Sequence, residues 1–200
     1  MQECLSGHQS CNKPPTAEST WYPSRLLQIG LDNKIRLTCT ADIPPTGPYV
    51  TLSHCWGKVP LIQLLRSNME AFRLGITKDD LPKTFQDALV VTRRLGVSYL
   101  WIDSLCILQD KDDLSDWAKE SAMMGRVYSN SYCNISASAA ADSSRGLFFP
   151  RSATPLCPLH ITASIEIDSD DLRKKRYSLH NVLIWRKNIE ESPLNSRGWG

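Results

Sequence analysis

Three segments of this chain hold residue types that do chemistry. The first, Tyr99-Leu-Trp-Ile-Asp-Ser-Leu-Cys-Ile-Leu-Gln-Asp110, is an apolar run with Asp103 in its middle. An ionised carboxylate inside a buried strand is costly unless it is paired or sits where the strand opens into a cleft. The second, Tyr49-Val-Thr-Leu-Ser-His-Cys-Trp-Gly57, is another strand-like run, and it ends in the polar cluster of Ser53, His54 and Trp56. Two buried strands that each end in polar residues are how an open α/β sheet builds a site at one edge. Asp103 therefore reads either as a helix cap or satisfied structural carboxylate, or as a site residue. The third segment is Trp117-Ala-Lys-Glu120. On a helix, Glu120 lies about 60° off the apolar stripe that holds Trp117. It is then either a surface glutamate paired with a nearby base or a carboxylate facing a shielded cleft. A shielded carboxylate has a raised pKa, which suits general-base or charge-stabilising work.

Thiol chemistry is the other enzymatic possibility, with His54 activating Cys55 or Cys106 and Asp103 orienting the imidazole. Neighbouring strand residues point to opposite faces, so His54 is badly placed for Cys55. His54 reaches Cys106 only if their strands are adjacent; otherwise these thiols are packing groups. Cys4, His8 and Cys11 fall on one helix face. Zinc usually takes four ligands and no partner pair of suitable spacing follows, so no metal is expected. No Gly-x-Gly-x-x-Gly or Gly-x-x-x-x-Gly-Lys sequence occurs, which argues against hydride-transfer Rossmann enzymes and P-loop NTPases.

The elements that must position these residues follow from periodicity. Residues 25–29 and 34–39 bracket a Gly-Leu-Asp-Asn turn and read as a hairpin. Residues 49–54 form a strand, and 61–74 carry a loose helical pattern. Thr84 is placed to cap a helix whose stripe is Phe85, Ala88, Leu89, Thr92 and Leu95, with Gly96 ending it. The strand 97–102 follows at once. A helix over 114–128 has Leu114, Trp117, Ser121, Met124 and Tyr128 on one face. Residues 132–138 read as a buried strand and 139–151 as a loop. Residues 159–167 and 178–185 read as strands joined by a solvated loop that contains Arg173-Lys-Lys-Arg176. This alternation predicts an α/β fold with a mainly parallel sheet and helices on both faces, plus an antiparallel portion towards the C-terminus.

Composition sets the bounds. Two hundred residues with 42% hydrophobic and 22% charged content fit one α/β domain with a flanking segment. A net charge of +2 gives no electrostatic case for nucleic acid. No run approaches the roughly 18 apolar residues of a membrane span, and no secretory leader pattern opens the chain. Seven scattered cysteines read as reduced thiols of an intracellular protein, with the cytoplasm as the expected compartment.

Five blocks, taken in order, resemble the heterokaryon incompatibility (HET) domain of filamentous fungi. They are residues 49–57, 81–89, 95–107, 117–124 and 127–130, and the likeness extends to Gly146-Leu-Phe, Arg151 and Ser196-Arg-Gly-Trp199. The resemblance implies a flanking segment at 1–48 and a HET domain at 49–200, truncated at its C-terminal end. It implies an effector in non-self recognition and programmed cell death, acting with protein partners or by self-association. The HET domain is in turn distantly similar to Toll/interleukin-1 receptor (TIR) domains. That likeness implies a TIR-like fold and an alternative function, cleavage of NAD between nicotinamide and ribose. Glu120 and Asp103 would then be catalytic, and Ser53, His54, Trp56 and Trp117 would hold the ligand. NAD enters as substrate, with no cofactor required.

Overall fold

The computed structural model describes residues 7, 21–30, 34–150, 159–166, 172–179 and 186–195. Its centre is a five-stranded sheet of β1 (Arg25–Ile29), β2 (Ile35–Cys39), β3 (Tyr49–Ser53), β4 (Tyr99–Ile102) and β5 (Cys133–Ser136), in the order β2-β1-β4-β3-β5. β4, β3 and β5 are parallel neighbours, with Val50 opposite both Leu100 and Cys133. β1 runs antiparallel to β2 and to β4. The sheet is therefore mixed rather than mainly parallel. The reason is the 25–39 hairpin, which docks onto β4 instead of standing apart from the sheet. Its Leu26, Leu27, Ile29, Ile35 and Leu37 are all buried, and burying them against β4 gives this short hairpin the apolar cover it lacks alone.

Helices α1 (Met69–Leu74), α2 (Lys83–Arg94), α3 (Asp103–Cys106), α4 (Ser115–Ala122) and α5 (Met124–Ser129) complete the sheet domain. α2 ends as its sequence predicts. Gly96 has φ +72°, its N–H donates to Arg93 O, and Val97 N–H donates to Thr92 O, a Schellman closure that feeds directly into β4. Thr84 does not cap this helix. Pro82 holds the cap position, while buried Thr84 accepts from Gly146 N–H at 3.1 Å.

The helix expected over 61–74 forms only at its C-terminal end. Asn68 bonds Leu65 N–H and Gln63 O through its side chain, an alternative to helical pairing, and Leu64 makes an isolated bridge with Leu108. The helix expected over 114–128 breaks at Met123, which has φ −93° and ψ −3°, shortly before Gly125. Asp103 lies one residue beyond its strand and opens the single-turn helix α3.

Side-chain alternation assigns the covering helices to opposite faces of the sheet. Tyr49 Oη donates to Val127 O at 2.6 Å, and Trp101 meets the Tyr128 ring edge-on at 5.8 Å, so α5 lies on the odd-numbered face of β3. Phe85 of α2 meets His54 edge-on at 4.9 Å on the even-numbered side. Trp101, Phe85, Leu100, Ile102 and Leu105 are all within 1% of full burial and anchor the core. β5 alternates half-buried and exposed residues along the sheet edge, instead of being buried throughout.

The described C-terminal portion contains a separate antiparallel pair, β6 (Leu159–Glu166) and β7 (Leu172–Leu179). The Arg173-Lys-Lys-Arg176 run lies inside β7, not in a loop; of the strand expected over 178–185, residues 178–179 belong to β7 and 180–185 lie outside the described residues. Pairing with β6 overrides the poor strand propensity of four consecutive bases. The cluster of Cys4, His8 and Cys11 lies outside the described residues.

Candidate functional site

The parallel strands β3, β4 and β5 all end at the same edge of the sheet, and a cleft of about 510 Å³ opens there. Ser53, His54 and Trp56 enter it from the end of β3. Asp103, Ile107 and Gln109 come from the segment after β4, and Asn134 and Ser136 from β5. Its outer wall is Trp117 and Ser121 of α4 with Met124 and Tyr128 of α5, and Leu194 and Asn195 close the rim. A crevice beyond the carboxyl ends of parallel strands is where open α/β sheets bind ligands, and this volume is in the range of small-molecule sites.

Asp103 ties the cleft together. One carboxylate oxygen meets His54 Nε2 at 3.1 Å and accepts from Ser104 N–H at 2.7 Å, while the other accepts from Trp56 Nε1–H at 3.0 Å. Burial alone would raise the Asp103 pKa, but the hydrogen bonds from His54, Trp56 and Ser104 outweigh it and hold the carboxyl below its usual range. The group is thus an anion at neutral pH, fixed at the junction of two strand ends. The other ring nitrogen of His54, Nδ1, faces Cys55 O at 3.2 Å. His54 is almost fully buried, so its ring orientation is set by packing as well as by Asp103. Gly57, at φ +69°, lets the chain turn away from the cluster against Asp142, where a side chain has no room.

Four of the five residues expected to converge, Ser53, His54, Trp56 and Asp103, do share the cleft, and Trp117 joins them. Glu120 does not. It is buried, it lies outside the cleft lining, and its Oε1 accepts a 2.6 Å hydrogen bond from Ser24 Oγ. The physical cause is the rotation of α4. Arg25 at the start of β1 pairs with Asp116 at 2.5 Å and donates to Cys106 O at 2.7 Å, and Asp116 also accepts from Leu108 N–H. These polar contacts turn the Asp116 and Glu120 side of α4 inward. The stripe expected in the core becomes the cleft wall: Trp117 is 47% exposed and Leu114, outside the cleft, 57% exposed.

The thiols take no part in the site. Cys106 is fully buried, and burial pushes its pKa up to about 12, which leaves no nucleophilic thiolate at neutral pH. Among the described residues, no group of three or more His, Cys, Asp or Glu side chains is disposed to hold a metal ion, and no helix is long and apolar enough to cross a membrane.

Sequence reasoning missed Gln109, Tyr128, Asn134, Ser136 and the Leu194–Asn195 rim. A signal existed for two of them. Asn134 and Ser136 alternate with Cys133 and Ile135 at the end of a strand parallel to β3, and polar residues at such an end face the same crevice as Ser53. Nothing in the sequence points to the rim, which approaches only through the fold.

No curated protein and no solved structure matches this chain. The family model described as heterokaryon incompatibility protein (HET) does match it, over residues 49–200. That span takes in β3, β4, β5 and every residue lining the cleft. It is well over half of the chain, and the chain therefore belongs to the heterokaryon incompatibility family.

Proposed function

We propose that this protein is a cytoplasmic effector of non-self recognition in fungal cells, a signalling module that self-associates and triggers programmed cell death after incompatible cells fuse. The observation that carries this reading is the family match across residues 49–200. The exposed Leu114, which caps α4, and Trp117 within its first turn support a role in protein contacts. The test is regulated expression of the full chain in a filamentous-fungal host. Induction is expected to lower viable counts at least tenfold, with sedimentation of the purified chain showing an oligomer. Growth equal to that of an empty-vector control overturns the effector reading, and a monomer at micromolar concentration overturns self-association.

A second reading, that the cleft binds and processes a small molecule, is favoured by the clustering of an ionised Asp103 with Ser53, Trp56 and Trp117. Applied to NAD, the bond between nicotinamide and ribose breaks, and the electron pair leaves with nicotinamide. The Asp103 anion offsets the positive charge that develops on the ribose, and water then adds to give ADP-ribose and a proton. Asp103 is the carboxylate that faces the cleft, while Glu120 acts through Ser24 to position α4. Pure protein incubated with NAD is expected to release nicotinamide, and Asp103→Asn to release at least a hundredfold less. No release by the unsubstituted protein removes NAD cleavage and leaves the effector reading intact.

A further inference from the structure

The wall of the cleft on β5 contains a hydrogen-bond donor that is already oriented. Thr51 Oγ1 and Ser53 Oγ lie 3.0 and 3.1 Å from the same atom, Asn134 Oδ1. In the structure the amide oxygen is turned to both hydroxyls and accepts a proton from each, the arrangement in which two hydroxyl donors satisfy one carbonyl oxygen. The NH2 group is consequently the outward polar end of Asn134, which lines the cleft, is exposed, and has no bond from that group to any described residue. Thr51 is fully buried, so the sheet holds its hydroxyl in place against Asn134, with Ser131 Oγ as a longer second partner at 3.4 Å. Gln109 is arranged in the opposite sense. Its Nε2 donates to Ile107 O at 3.1 Å, which leaves its Oε1 as an acceptor. Trp117 adds a half-exposed indole to the same cleft, and Tyr128 a second ring. Among the described residues that line it there is no Lys or Arg, and the one carboxylate is Asp103.

We propose that the cleft binds a nucleoside through its base, with Asn134 NH2 donating to a ring nitrogen or carbonyl, Gln109 Oε1 accepting from the base edge and Trp117 covering the ring. A planar edge that offers both an acceptor and a donor is what this pair of amides matches, and a base adds a face for the indole. With no cation among the described residues of the wall, a phosphate gains no charge-assisted contact from them and is repelled by Asp103. The base and ribose, rather than any phosphate, supply the affinity. Thr51 is a positioning residue, because it fixes the Asn134 amide without touching the ligand. The proposal rests on the reading of the cleft as a small-molecule site.

The test is titration of the full chain with adenosine and, separately, with adenosine 5′-monophosphate, followed by tryptophan fluorescence and by ligand-observed NMR. Adenosine is expected to bind at least as tightly as its monophosphate. Asn134→Asp keeps the side-chain shape but replaces the NH2 with an oxygen, and it is expected to weaken adenosine at least tenfold with the melting temperature unchanged. Thr51→Val is expected to weaken adenosine and to narrow its preference over inosine, whose base edge swaps donor and acceptor; a purely structural residue would leave that preference alone. Tenfold tighter binding of the monophosphate, or unchanged affinity in Asn134→Asp, overturns the proposal. A parallel NMR screen with glucose, ribose 5-phosphate and nicotinamide separates the two readings. Binding of one of these but not of adenosine, abolished by Ser136→Trp, overturns the nucleoside assignment and keeps the cleft. Binding of nothing overturns both.

Discussion

Asp103 shows how one side chain can organise a site while contributing charge to it. Its oxygens join the end of β3, through His54 and Trp56, to the first turn of α3. Hydrogen bonds to a charged group are worth about 1.5–3 kcal/mol each when one partner is removed. Asp103→Asn keeps the shape but sets an NH2 against at least one donor, so it should cost about 2–3 kcal/mol at pH 7. Because the folded-state pKa lies below the ordinary value of 3.8, the ionised group stabilises the fold above that pH. The contribution is lost as pH falls from 3.8 through the lower folded-state value. Urea unfolding at a series of pH values should therefore show the wild-type advantage over Asp103→Asn at pH 6–7 and its disappearance towards pH 2–3. Glu120 makes the contrasting case, since its carboxylate serves Ser24. Glu120→Gln should cost about 1–2 kcal/mol of stability and leave any nicotinamide release within twofold of wild type. A hundredfold loss of release with normal stability would return Glu120 to the chemistry.

At the scale of elements, the strongest expectation concerns β4, the sheet's central strand, with partners on both sides. Trp101→Ala should cost about 3–5 kcal/mol, measured as a fall in the urea midpoint, because the indole is fully buried against Tyr128. A cooperative transition near the wild-type midpoint would contradict its central place. The parallel set β3, β4 and β5 was legible in the sequence because short apolar runs alternate with an amphipathic helix and Gly96 closes that helix. The convergence of Ser53, His54, Trp56 and Asp103 was legible because all four sit at or just beyond strand ends. What escaped was the rotation of α4, since apolar periodicity is blind to polar groups that are buried in pairs. Arg25, Asp116, Ser24 and Glu120 decide which face turns inward, and each looks like a surface residue when read alone. The strand character of the basic run at 173–176 is hidden for a similar reason. Pairing with β6 outweighs the charge of the Arg173-Lys-Lys-Arg176 run, and pairing partners are not visible along the chain. The Leu81–Leu89 and Gly146-Leu-Phe blocks were readable separately, but not as partners: buried Asp87 accepts from Leu147 N–H at 2.9 Å and pairs with Lys83, locking the loop onto α2.

For the whole molecule, the match to the HET family begins at residue 49, yet the sheet does not. β1 covers one edge of β4, and its Arg25 and the Ser24 just before it bond α4, so residues 49–200 alone leave Leu100 and Ile102 beside an open strand edge. A fragment of 49–200 is expected to lack a cooperative thermal transition or to aggregate, and adding back residues 21–48 should restore it; a stable, monomeric 49–200 fragment would refute this. The strand order has one more consequence, and it concerns time. Within the five-stranded sheet, only β1 and β2 pair with a near neighbour in sequence; Leu27 waits for Leu100, and Val50 for both Leu100 and Cys133. On the ribosome, then, no more than a hairpin can close until β4 has emerged, and the sheet stays incomplete until β5 follows. A topology so rich in distant pairings predicts refolding in milliseconds to seconds rather than microseconds, which stopped-flow fluorescence of the buried Trp101 would record. During that interval the apolar strands are unsheltered, so the nascent chain is at its most prone to aggregate until the last strand arrives.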